Sequence, residues 1–107
     1  MRVIARSTLT RFVETLNGHK DQSAVGPALN AWYFEAAHAD WRSSADVKKA
    51  FANASIIDSD RVVFNIKGNS YRLFTTVGYN RKAVFIKWLG SPKAYDLIDA
   101  RKVQYGN

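Results

Sequence analysis

The chain has no cysteine. That excludes a disulfide framework, a thiolate metal site and a thiol nucleophile. No apolar run reaches the roughly 18 residues that a membrane span needs. The opening MRVIARSTL has too short an apolar stretch for a signal peptide. A soluble, cytoplasmic protein without a membrane partner is therefore expected. The two histidines, His19 and His38, stand alone, and neither HExxH nor HxH occurs. No metal and no small-molecule cofactor is expected on that pattern. A Gly-rich phosphate loop and a GxSxG elbow are also missing. Carboxylates lie mostly in the first part of the chain and are unpaired, which speaks against a glycosidase-like dyad.

Acidic residues are scarce in one region. Residues 1–60 hold seven Lys/Arg and seven Asp/Glu, whereas residues 61–107 hold nine Lys/Arg and only Asp96 and Asp99. The formal charge of +7 thus belongs to the second part of the chain. Such an asymmetry suggests a polyanion or an acidic protein as partner. With 107 residues and 47% of them hydrophobic, the chain suits one domain over residues 1–107 with a packed core.

Arg2 to Arg6 reads as a short strand. Ser7 is placed to cap a helix over Thr8–Asn17, with Leu9, Phe12, Val13 and Leu16 on one face and Asn17-Gly18 at its end. Gly26-Pro27 speaks against an uninterrupted helix through that point. Pro suits a first helical turn, so a second helix is expected to begin near Pro27 and to bury Leu29, Trp32, Tyr33 and Ala36. Trp32-Tyr33-Phe34 reads as core, with base stacking as the other use of such a cluster. Ser43-x-x-Asp46 fits a capping box ahead of a short helix, Ala45–Phe51, with Val47, Ala50 and Phe51 inward.

The most informative stretch is RVVFNIKGNSYR, Arg61 to Arg72. Val62, Phe64 and Ile66 alternate with Arg61, Val63, Asn65 and Lys67, a strand period. Lys67-Gly68-Asn69-Ser70 is a turn, Gly and Asn tolerating the positive φ of tight hairpins. Tyr71, Leu73, Thr75 and Val77 carry the next strand, which runs to Tyr79. After Asn80-Arg81-Lys82 a last strand, Ala83–Leu89, sets Val84, Ile86 and Trp88 against Phe85, Lys87 and Leu89. Gly90-Ser91-Pro92 breaks it. Lys93–Ala100 suits one or two helical turns with Ala94, Leu97 and Ile98 inward, before a basic, mobile tail. Helices gathered before a β-meander indicate an α+β domain with helices on one sheet face.

The remaining chemistry is cationic and aromatic: Arg61, Lys67, Arg72, Arg81, Lys82, Lys87, Lys93 and Tyr95. RNA cleavage through the 2′-hydroxyl needs a base, cations for the charge on the phosphate and an acid for the leaving oxygen. Arg and Lys supply the charge. A Tyr or Lys whose pKa neighbouring cations lower could move a proton. A basic strand pair is more often a binding surface than a metal-free nuclease.

RVVFNIKGNSYRL, followed by IKWLGS and AYDLIDA, resembles the HigB group of RelE-like toxins of type II toxin–antitoxin systems. The likeness extends back through Ala31-Trp32-Tyr33 and from Asp40-Trp41 to Asp46-Val47-Lys48, so it covers the second helix to Ala100. It implies a RelE-like fold, and a toxin that enters the ribosomal A site and cuts mRNA there without a metal. It also implies a HigA-like helix-turn-helix antitoxin encoded next to it. By position, Arg72 matches the arginine near the scissile phosphate, Lys67 a basic residue at the ribbon edge, and Tyr95 the tyrosine of the GTH-x-x-YD motif. Pro92 stands where that motif has His, which leaves Tyr95, Lys93 or Lys67 as proton carriers. Arg61, Asn69, Arg81, Lys82 and Lys87 would hold RNA, although Asn69 also reads as a plain turn residue. Two other readings stay open. One is a weakened toxin-fold module that binds RNA, ribosome or antitoxin without cutting. The other is a basic DNA-binding domain, which lacks a helix-turn-helix signal.

Overall fold

Alternating side chains make the ribbon that the sequence implies. In the computed structural model, which describes residues 1–97, β3 (Arg61–Ile66) and β4 (Tyr71–Gly78) pair antiparallel with Ile66 opposite Tyr71. Lys67 and Gly68, with φ of 53° and 64°, take the left-handed positions of the turn. Asn69 does not, so the bend falls one residue earlier than glycine and asparagine together suggest.

β5 (Ala83–Gly90) continues the meander. Two short strands close the edges: β1 (Arg2–Ile4) runs parallel to β5, and β2 (Ser55–Ile56) antiparallel to β3. The order is β1-β5-β4-β3-β2. Beside the sheet lie α1 (Ser7–Thr15), α2 (Gln22–His38), α3 (Ser44–Ala50) and the single turn α4 (Pro92–Tyr95). The class is α+β. Among the described residues no helix is long and apolar enough to cross a membrane. Ile98, the end of the expected last helix and the basic tail lie outside the described residues.

Several local expectations are corrected. α2 runs straight through Gly26-Pro27. Pro27 lies on the solvent side, as does Ser23 four residues earlier, so water can serve the carbonyl that Pro27 leaves without a donor. The fully buried Val25 anchors that first turn from the other side. Ser7 does not cap α1. Ala5 turns the chain at φ 69°, and Arg6 precedes the helix with no side-chain cap. Ser43 precedes α3 without capping it, and Asp46 Oδ2 instead accepts from the Arg42 N–H at 2.9 Å. Phe34, Ala50 and Leu97 are exposed rather than inward.

One correction changes a face of the sheet. Thr75 sits opposite Ile86, but Phe74 sits opposite Trp88, so Lys87 is an extra residue in β5. This β-bulge inverts the alternation beyond it. Leu89 turns into the core, and Trp88 turns out to the other face.

The core lies between the helices and the sheet, centred on Phe64. Its ring meets Trp32 at 5.3 Å, Trp41 at 6.0 Å and Phe51 at 5.0 Å. These partners come from α2, the loop after it and the end of α3, so one strand residue gathers three segments.

A polar tie binds the ribbon to α2. Tyr71 Oη donates to Asp21 Oδ2 at 2.9 Å, and Lys67 Nζ lies 3.5 Å from Asp21 Oδ1. The Tyr71 hydrogen bond, then Lys67 and His19, hold the Asp21 carboxyl below its ordinary 3.8 against the opposing effect of burial. A depressed carboxyl stabilises the fold above its unfolded pKa and loses that contribution as pH falls through the folded one. Asp21→Asn is therefore expected to lower the melting temperature at neutral pH. The gap to wild type should close as pH drops below 3.8. Thermal melts by circular dichroism across that window check it, and a gap that widens on acidification would refute it.

Candidate functional site

Arg72 is the first outward residue of β4, set between Asn65 of β3 and Gly90 of β5. The outward face here is built by the bulge. Trp88, turned out by Lys87, stands against Tyr95 of α4 with ring centroids 6.0 Å apart. Gly90 makes that possible, because a Cβ there would sit 2.7 Å from the Trp88 indole. Ser91 then starts α4, its Oγ accepting from the Ala94 N–H at 3.1 Å, and Pro92 takes the first helical turn, where its ring costs nothing. The result brings Tyr95 beneath Arg72, whose Cζ lies 5.1 Å from the phenol ring centroid. Asp96 Oδ1 lies 3.8 Å from the same guanidinium.

These residues frame an open cleft of about 500 Å³. Asn65, Asn69, Arg72, Pro92 and Tyr95 face it, and Ser55, Ile57 and Val63 complete it. The Arg72 side chain is 35% exposed, so its charge is accessible yet partly shielded from water. The Tyr95 hydroxyl is pushed up from the ordinary phenol value of 10.0. Burial is the main cause; Arg72 opposes it and Asp96 adds to it. The expected lowering by cations is thus overridden by desolvation, and Tyr95 stays protonated at neutral pH. Chemically the described residues of the cleft offer one cation for an anion, one neutral phenol that can donate a proton, and two amides.

The other expected residues disperse. Lys67 turns to the helix side and pairs with Asp21, and it does not line the cleft. Lys93 is exposed on α4 and does not line it either. Arg61 pairs with Asp58 at 3.5 Å. Lys87 forms the bulge, its Nζ 5.8 Å from the Phe85 ring centroid. Arg81 and Lys82 occupy the β4–β5 turn, at the end of β4 far from Arg72, and Lys82 is bonded to Asp40. Of the nine, the structure gathers Arg72, Tyr95 and Asn69. Sequence reasoning missed Asn65 and Trp88. The hairpin register holds the signal for Asn65, since a four-residue turn sets position 65 opposite 72. Nothing in the sequence flags the bulge that turns Trp88 outward. Among the described residues no group of three His, Asp or Glu is placed to hold a metal ion.

A family model described as HigB toxin, the RelE-like toxic component of a toxin–antitoxin system, matches residues 26–98. That span exceeds half of the chain and contains every described residue facing the cleft. No curated protein matches the chain.

Proposed function

The chain belongs to the HigB family of RelE-like toxins, and from that premise we propose that it is an endoribonuclease that cuts mRNA on the ribosome. The carrying observation is Arg72 and Tyr95 in one cleft, a cation above a phenol that remains protonated. The 2′-hydroxyl oxygen attacks the adjacent phosphorus and the bond to the 5′-oxygen breaks, leaving a 2′,3′-cyclic phosphate and a 5′-hydroxyl. Arg72 bears the charge that builds on the phosphoryl oxygens. Tyr95 gives its proton to the departing 5′-oxygen, and its raised pKa keeps that proton in place until needed. Pro92 faces the cleft where a proton acceptor would serve. The 2′-hydroxyl proton therefore passes to water or to a ribosomal nucleotide, which is a chemical reason for dependence on the ribosome. Asn65 and Asn69 border the cleft as hydrogen-bonding groups for the nucleotide.

In a translation extract with a reporter mRNA, primer extension is expected to show new 5′ ends inside the translated region. The second reading, a toxin-fold module that binds without cutting, is favoured by Pro92. It predicts translational arrest with no new ends. Tyr95→Phe is expected to lower cleavage by about 10²–10⁴-fold. Difference ultraviolet titration of the free proteins, wild type against Tyr95→Phe, should assign a phenol ionising above pH 10.0 to Tyr95. Undiminished cleavage by Tyr95→Phe would remove the phenol from the mechanism.

A further inference from the structure

The outer side of α2 carries an aromatic left largely uncovered by the described residues. Phe34 is 66% exposed, and its ring centroid lies 4.2 Å from that of His38. With Ala31, Trp41 and Ala50 these side chains line an open, mainly apolar groove of about 700 Å³ between α2 and α3. Patches of this kind mark contact surfaces, and a ring seated over a hollow is the usual form of an interface anchor. The groove is built on the helix side of the sheet. Trp41 at its floor packs on Phe64 in the core, whereas the Arg72 cleft opens on the other face.

Charge narrows the occupant. The chain carries +7, yet among the described residues the charged side chains lining this groove are Glu35 and Asp40. Asp40 is answered by Lys82 and Arg42. Glu35 has no ion pair among the described residues, so it supplies the unanswered charge. An acid-lined hollow repels an RNA backbone. A second copy of this chain would set Glu35 toward Glu35 and one net positive body toward another. A polypeptide segment with an apolar anchor flanked by Lys or Arg satisfies both the hollow and its rim.

Resting on the toxin–antitoxin reading above, we propose that this groove is where the antitoxin docks, through such a basic, apolar-anchored segment. The probe is the purified product of the open reading frame adjoining this chain's own, titrated calorimetrically into wild type, Phe34→Ser and Glu35→Lys at low and high salt. Wild type should bind. Phe34→Ser should weaken binding at least about tenfold. Glu35→Lys should weaken it several-fold and flatten its salt dependence. Both positions are exposed and away from the cleft, so both variants should still cut mRNA, but co-expression of the neighbour should no longer neutralise them. If both variants bind and are neutralised like wild type, the groove is not the docking site, while the toxin–antitoxin reading stands. If the neighbour neither binds nor neutralises wild type, that reading and the groove assignment fall together. If sedimentation shows wild type self-associating through Phe34, the occupant is a second copy and the proposal is overturned. Should Phe34→Ser lose its circular dichroism signal, Glu35→Lys decides alone.

Discussion

Arg72→Ala is expected to lower mRNA cleavage in a translation extract about 10²–10³-fold, the usual cost of removing one preorganised charge from an anionic transition state. Among the described residues Arg72 is the one cation facing the cleft. Removing it also takes from Asp96, 72% exposed and 3.8 Å away, the described cation that offsets its negative charge beside the incoming phosphate. Arg72→Lys should retain part of the rate, since it keeps the charge and loses the two-pronged hydrogen bonding of a guanidinium. Stability should change little, because an ion pair this exposed contributes about 0–1 kcal/mol. Primer extension on a reporter mRNA, with thermal melts beside it, separates the two effects. Cleavage by Arg72→Ala within twofold of wild type would sink the assignment.

Phe64→Ala is expected to have the largest effect on stability, about 3–5 kcal/mol. The ring is 1% exposed and is the shared contact of Trp32, Trp41 and Phe51. None of these can follow the deleted ring inward without dragging its own backbone segment, so the cavity stays open. Since whole domains are stable by about 5–15 kcal/mol, the variant should lie close to unfolding at 37 °C. Urea titration followed by tryptophan fluorescence measures it. This loss is distinct from that of Arg72→Ala, which should remain folded and inactive. A midpoint unchanged in Phe64→Ala would mean that the aromatic cluster is not the centre of the core.

The ribbon was legible because a period of two needs only local order. Val62, Phe64 and Ile66 fall on the core side as their spacing requires. The order of elements was legible for the same reason. Trp88 was not, because one unpaired residue, Lys87, inverts the alternation after it, and a bulge is decided by backbone pairing rather than by residue type. Pro27 misled because the penalty of a helical proline depends on whether solvent reaches the freed carbonyl, which is a property of the tertiary placement. The site was half legible. Arg72 and Tyr95 were singled out through family resemblance, and the fold brings them together. Arg81 and Lys82 were grouped with them by charge along the chain. But β4 runs on six residues from Arg72 to Gly78 before that turn, about 20 Å at roughly 3.3 Å per residue. Lys67 was grouped with Arg72 as a basic residue at the edge of the same ribbon, yet it is directed to the opposite face, where Asp21 takes its charge. Proximity along a strand predicts neither face nor partner for a long, flexible cation.

The parallel pairing of β1 with β5, Arg2 opposite Ala83 and Ile4 opposite Phe85, bears on how the chain assembles. β3, β4 and β5 pair with near neighbours in sequence and can form early. β1 leaves the ribosome long before its partner strand exists, and its loop closure spans most of the described chain. During synthesis its edge of β5 is therefore completed last. The first strand of the chain is thus the piece that closes the sheet, docking onto a meander that has already formed.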